Sequence, residues 1–110
     1  ILDDHPLLVR GLKTMLESTA GISVSATFQR GKDLIKYLPG NAPDIMLLDI
    51  SLPDISGIEV LSQVRTAGIN IPALFVTNLE SRYYIKAAIE QGAAGYVLKS
   101  ADAKLYRCKI

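Results

Sequence analysis

The sequence predicts an α/β domain built on a doubly wound, five-stranded parallel sheet with helices on both faces. Three observations lead there. Short apolar segments and longer amphipathic segments alternate along the chain, the pattern of successive βαβ units whose right-handed crossovers build an open sheet. Two of the apolar segments, residues 45–48 and 71–76, are continuous rather than alternating, as expected of strands buried on both faces. Glycine and proline punctuate the boundaries. The length of 110 residues suits one compact domain with one core.

Ile1 and Leu2 form a strand stub that runs into Asp3 and Asp4. Residues 6–20 then place Leu8, Leu12, Met15 and Leu16 on one face of a helix. Pro6 suits its first turn and Gly21 its end. Residues 22–28 alternate apolar and small polar side chains, which predicts a second strand. Leu34, Ile35 and Leu38 mark a helix over 31–38, broken by Pro39-Gly40. The run Ile45, Met46, Leu47, Leu48 predicts a central strand that stops at Asp49. After a loop with Pro53 and Gly57 comes a helix presenting Val60, Leu61 and Val64, then the strand over 71–76. Residues 81–91 read as a fourth helix through Tyr84, Ile85, Ala88 and Ile89. Residues 95–98 read as a fifth strand ending at Lys99, and 102–109 as a short last helix.

In such a sheet, ligands bind beyond the carboxyl ends of the strands. The residues at those ends are Asp3, Asp4, Asp49, Thr77 and Lys99: three carboxylates, one hydroxyl and one ammonium on a common rim. Carboxylates held together repel one another, so a proton or a cation must hold them. Mg²⁺ fits, because it takes a few carboxylates, waters and a substrate phosphate in octahedral coordination. A carboxylate can also attack phosphorus if the charge on the transferring oxygens is neutralised as it develops. Lys99 and the cation would flank such an oxygen, and Thr77 could donate to another. Singly, these residues are ordinary: Asp often ends a strand, and a β-branched residue at a strand end needs no function. His5 reads as a helix-cap or loop histidine, since the chain has no second histidine to share a metal.

Composition narrows the classes further. A formal charge of +1 lacks the basic excess of a module that grips the phosphate backbone of DNA. The apolar runs are far shorter than the roughly 20 residues of a membrane-spanning helix. A single cysteine, Cys108, and the lack of a signal-peptide pattern suggest a reducing, cytoplasmic setting.

Taken together, Leu2-Asp3-Asp4-His5-Pro6, Leu47-Leu48-Asp49-Ile50-Ser51-Leu52-Pro53 with Gly57, Val76-Thr77 and Gly95-Tyr96-Val97-Leu98-Lys99 resemble the receiver domain of two-component response regulators. The likeness spans almost the whole chain. The Asp-Asp-His-Pro start and the Lys-Ser pair further resemble receivers joined to a LuxR-type helix-turn-helix domain. The resemblance implies a flavodoxin-like strand order, 2-1-3-4-5, and residues 1–110 as a single receiver domain whose output domain lies outside the chain. It implies Asp49 as phosphoacceptor, supplied by a sensor histidine kinase. Asp3, Asp4, Asp49 and the Ser51 backbone carbonyl would be the ligands of Mg²⁺. Thr77 and Lys99 would meet the phosphoryl oxygens, and Thr77 with Tyr96 would form the switch. A signalling domain rather than an enzyme is implied, promoting only its own phosphorylation and dephosphorylation. Homodimerisation on phosphorylation and DNA contact only through the missing domain are implied too. One departure is Ser100, where many receivers place a proline in a cis peptide.

Other functions share this pattern in part. A receiver that dimerises whatever its phosphorylation state is compatible with the sequence. An Mg²⁺-dependent phosphohydrolase with an aspartate nucleophile would, by its family's pattern, carry a second Asp at the position of Ser51. A flavin-binding domain wants a Ser-, Thr- or Gly-rich loop where Asp3-Asp4-His5 stands.

Overall fold

The computed structural model describes residues 1–79 and 81–99. The expected last helix over 102–109, Cys108 and the Lys99-Ser100 peptide lie outside the described residues. Four helices are present among them: α1 (Pro6–Glu17), α2 (Gly31–Tyr37), α3 (Gly57–Thr66) and α4 (Arg82–Glu90). They alternate with the strands β1 (Met46–Leu48), β2 (Ala73–Thr77) and β3 (Gly95–Leu98). The strands form one parallel sheet in the order β1-β2-β3.

Three of the five expected strands form full ladders among the described residues. Segments 1–2 and 22–28 enter the sheet only through isolated parallel bridges, Leu2 to Phe28 and Leu2 to Leu48. Leu2 N–H donates to the Leu47 carbonyl and Phe28 N–H to the Ile1 carbonyl, so segment 22–28, segment 1–2 and β1 lie side by side in the expected 2-1-3 order. The bridges still put Phe28, Leu2 and Leu48 side by side, so the acids after Leu2 stand next to Asp49.

Alternate strand residues face opposite layers. Met46, Leu48, Ala73 and Phe75 pack with Leu34 of α2, Val60, Leu61 and Val64 of α3, and Ala88 of α4. Leu47, Leu74, Val76 and Val97 pack against Leu12 and Leu16 of α1. All of β1 and β2 is buried, which is why these runs read as continuous apolar stretches.

Helix boundaries follow local chemistry. Helix α1 stops three residues before the expected Ala20, because the Ser18 hydroxyl bonds the Met15 carbonyl and Thr19 N–H turns back to Leu16. Gly21, at φ +86°, completes the turn. Ser56 and Ser81 cap α3 and α4, each accepting a backbone N–H.

The start of α2 is held from outside. Asp54, in the loop after β1, accepts the backbone N–H groups of Gly31 and Lys32, both at 2.9 Å. Burial pushes the Asp54 carboxyl up, but backbone donors at Lys32, Gly31, Ile55 and its own amide outweigh this and hold it at about 2. The folded value is below the unfolded one, so this contribution is complete above about pH 4 and is lost as pH falls towards 2. An acid titration of stability should therefore be flatter between pH 4 and 2 in Asp54→Asn than in the native chain. Parallel curves would refute the tie.

Candidate functional site

The rim forms because three strand ends finish side by side. Asp49 N–H donates to the Leu2 carbonyl and Asp3 N–H to the Phe28 carbonyl, while Lys99 N–H donates to the Thr77 carbonyl. Asp3, Asp49 and Thr77 are consequently buried, at 2, 2 and 1 % exposure. Carboxylates so buried need partners.

Lys99 supplies one. Its ammonium lies 2.9 Å from Asp49 Oδ2 and 3.1 Å from Asp3 Oδ2, with the side chain 9 % exposed. Burial lowers the Lys99 pKa, but hydrogen bonds and charge attraction from Asp49 and Asp3 more than reverse this, and the net direction is upward. The other Asp49 oxygen, Oδ1, accepts the Ile50 backbone N–H at 2.7 Å.

His5 converges on the same acids. Its backbone N–H and its Nδ1 both lie against Asp3 Oδ1, at 2.9 and 2.8 Å. Nδ1 is also 2.9 Å from Lys99 Nζ, 3.2 Å from Asp4 Oδ1 and 3.8 Å from Asp49 Oδ2. One ring nitrogen cannot donate to Asp3 and accept from Lys99 at once, so the two contacts belong to different tautomers. His5 stands at the N-cap of α1, but its side chain does not cap the helix.

Asp3, Asp4, His5 and Asp49 each direct a ligand atom into this space, all within 4.8 Å of one another. Among the described residues, Asp4 Oδ1 is buried without a hydrogen-bond partner, despite its nearness to His5 Nδ1. Among them, three carboxylates face one ammonium, and one carboxylate oxygen has no hydrogen bond. That donor set fits a hard divalent cation.

The side chains of Thr77 and Tyr96 bond Leu79 rather than the acids. The Thr77 hydroxyl accepts the Leu79 backbone N–H at 3.4 Å and, among the described residues, bonds neither Asp49 nor Lys99. Ser51 is exposed on the loop after β1. Tyr96 is half-buried against Phe75, with ring centroids 6.4 Å apart, and its hydroxyl donates to the Leu79 carbonyl. Burial, the Asp49 charge and Tyr84 raise the phenol's pKa. Leu79 thus links Thr77 to Tyr96, one through its amide and the other through its carbonyl.

In the sequence His5 has no assigned role, and Gly57 enters as a loop marker and as part of the receiver resemblance. A Cβ on Gly57 would lie 1.8 Å from the Asp49 carbonyl oxygen and 2.8 Å from its carbonyl carbon. The glycine therefore lets α3 start directly against the end of β1. A cleft of about 870 Å³ opens elsewhere, between residues 22–26 and 45–48, and none of the rim residues lines it.

Comparison with known proteins agrees with this geometry. The family model described as "Response regulator receiver domain" matches residues 1–108. The nitrate/nitrite response regulator protein NarP of Escherichia coli is 32% identical over 105 residues, covering 96% of this chain and 49% of that protein. The chain thus spans about half the length of the curated relatives it matches. Among solved structures, a LuxR-family two-component response regulator from Aurantimonas sp. is 30% identical with a TM-score of 0.89. The match covers 96% of this chain and 76% of that one. The signal receiver domain of the putative response regulator NarL from Mycobacterium tuberculosis is 26% identical with a TM-score of 0.88, over 98% of this chain and 91% of that one. With the flavodoxin-like α/β architecture, the rim of acids facing a lysine and a family match over nearly all its residues, the chain belongs to the response regulator receiver domain family of two-component signalling, among relatives of the LuxR type.

Proposed function

We propose that residues 1–110 form one receiver domain that accepts a phosphoryl group on Asp49 from a sensor histidine kinase, with Mg²⁺ bound beside it. The observation that carries this reading is the Asp49 carboxylate itself. It is buried at a strand end, with Oδ1 held by the Ile50 amide at 2.7 Å and Oδ2 facing Lys99 at 2.9 Å. Oδ2 attacks phosphorus, so an O–P bond forms as the P–N bond of a phosphohistidine breaks. The electron pair leaves on the imidazole nitrogen, which ends neutral after taking up one proton. Lys99 exchanges its contact with Oδ2 for a phosphoryl oxygen, and Thr77 donates its hydroxyl to another. Mg²⁺, held by Asp3, Asp4, Asp49 and the Ser51 backbone carbonyl, would supply positive charge against the phosphoryl oxygens.

Phosphorylation biases two pre-existing conformations through its contacts with Lys99 and Thr77. Thr77 and Tyr96 both bond Leu79, so a Thr77 that turns to the phosphoryl group disturbs the Tyr96 contact. The face around α4 and β3 then changes partner, with homodimerisation and DNA binding through a separate helix-turn-helix domain as output. The domain acts as a signalling module in the cytoplasm rather than as an enzyme on other substrates. No helix among the described residues is long and apolar enough to cross a membrane, which is compatible with this.

The direct test is incubation with Mg²⁺ and acetyl phosphate, followed by mass spectrometry for a base-labile gain of one phosphoryl group. A folded native domain without that gain would favour a phosphorylation-independent dimerisation role. Lys99→Met should slow phosphorylation by about 10²-fold, the usual loss for one oxyanion donor. The same variant should bind Mg²⁺ at least as tightly as the native chain, because the ammonium no longer competes for Asp3 and Asp49. Weaker Mg²⁺ binding in calorimetry would contradict that competition.

A further inference from the structure

We propose that Asp54 is a positioning residue for phosphoryl transfer, holding from the α2 side the loop whose first amide aims the Asp49 carboxylate. The inference rests on Asp49 as the phosphoacceptor and adds to it a residue outside the rim.

Asp49 presents Oδ2 to Lys99 while its Oδ1 accepts the Ile50 N–H at 2.7 Å. The direction of the nucleophile therefore depends on where the loop after β1 places its first amide. The loop's far end is pinned by the Gly57 N–H, which donates to the Ile50 carbonyl at 2.9 Å. Residues 51–55 between these points are neither helix nor strand, and Ser51 and Pro53 are exposed. An irregular stretch of this kind moves unless something ties it down.

Asp54 is the tie. Its Oδ1 accepts the Gly31 N–H and its Oδ2 the Lys32 N–H, both at 2.9 Å. Among the described residues, positions 51–55 make no other hydrogen bond to a separate element. Helix α2 is a firm anchor. A Cβ on Gly31 would lie 2.4 Å from Val60 Cγ2 and 3.0 Å from Ile55 Cγ1, so the start of α2 is seated against α3 and against the residue after Asp54. Two charge-assisted bonds, one from each carboxylate oxygen, fix the loop in direction as well as in distance. Without them the loop loosens between Ile50 and Gly57, and Asp49 aims Oδ2 at phosphorus for less of the time. Small displacements of a reacting group are costly in rate.

The test uses the folded domain, Mg²⁺ and acetyl phosphate. Asp54→Ala removes both acceptors, and Asp54→Asn keeps one oxygen. Arg65→Met is the control, because it removes bonds to the Ile69 and Gly92 carbonyls at the opposite end of α3. We expect Asp54→Ala to be phosphorylated about fivefold more slowly than the native chain, Asp54→Asn to recover part of that loss, and Arg65→Met to match the native rate. Amide hydrogen exchange followed by NMR should quicken in Asp54→Ala at Ile50 and Gly57 as well as at Gly31 and Lys32. Faster exchange confined to Gly31 and Lys32, with a native rate of phosphorylation, would reduce Asp54 to a helix cap and overturn the proposal. An equal slowing in Arg65→Met would overturn it too, by tracing the loss to general stability. Failure of the underlying reading looks different, because the native chain itself would then take up no phosphoryl group.

Discussion

Asp49→Asn is expected to reduce phosphorylation by acetyl phosphate to background while leaving the domain folded. The amide is nearly the same size as the carboxylate, and its oxygen can still accept the Ile50 N–H that Oδ1 accepts at 2.7 Å. What disappears is the nucleophile. An amide nitrogen in place of Oδ2 cannot attack phosphorus, and it meets the Lys99 ammonium as donor against donor. Circular dichroism would establish that the variant folds, and intact-mass measurement would establish the loss. A phosphoryl group that still appears in Asp49→Asn, with the same base lability, would transfer the acceptor role to another carboxylate of the rim.

Gly57→Ala is the second large effect, and it acts through backbone. The added Cβ would meet the Asp49 carbonyl oxygen at 1.8 Å, and the conflicting atoms are main chain, with no side-chain rotation to relieve them. Either β1 or the start of α3 must shift, breaking the 2.9 Å bond from Gly57 N–H to the Ile50 carbonyl. We expect a loss of about 3 kcal/mol, at the upper end for overpacking. For a domain of this size that lowers Tm by roughly 12 °C or more. Phosphorylation of the molecules that remain folded should fall too, because Asp49 moves with its carbonyl. Gly11→Ala is the matching control. Gly11 lies within α1 with no atom of the described residues near its would-be Cβ, so alanine there should stabilise by about 0.5–1 kcal/mol. Equal melting of the two variants would rule out the close approach at Gly57.

The sequence carried the α/β alternation and the acids of the rim, because both are written in local signals. Continuous apolar runs marked β1 and β2, and each was followed by a polar residue whose place at a strand end could be inferred from pattern alone. Segment 22–28 shows why the same reading has limits. Its alternation of half-buried and exposed residues is present, and Phe28 enters a bridge, so alternation marks a strand-like segment without fixing how many of its residues pair. His5 was passed over for a related reason. A lone histidine has no spacing to interpret, and only the turn between Asp3 and α1 aims Nδ1 at three acids. The Gly57 contact with Asp49 joins residues eight apart through a loop, a distance at which neither helical nor strand periodicity applies.

The hydrogen bond from Lys99 N–H to the Thr77 carbonyl, 2.9 Å long, has a bearing on how the output responds. It joins the last residue of β2 to the residue just after β3, and their side chains are the two proposed to grip the phosphoryl group. With their backbones joined, neither strand end can approach the phosphoryl group without displacing the other. Partial engagement by one residue is thereby disfavoured, and a population of phosphorylated molecules should divide between two discrete arrangements rather than spread over intermediate ones. Signal strength would then be encoded as the fraction of molecules switched, not as the extent of movement in each.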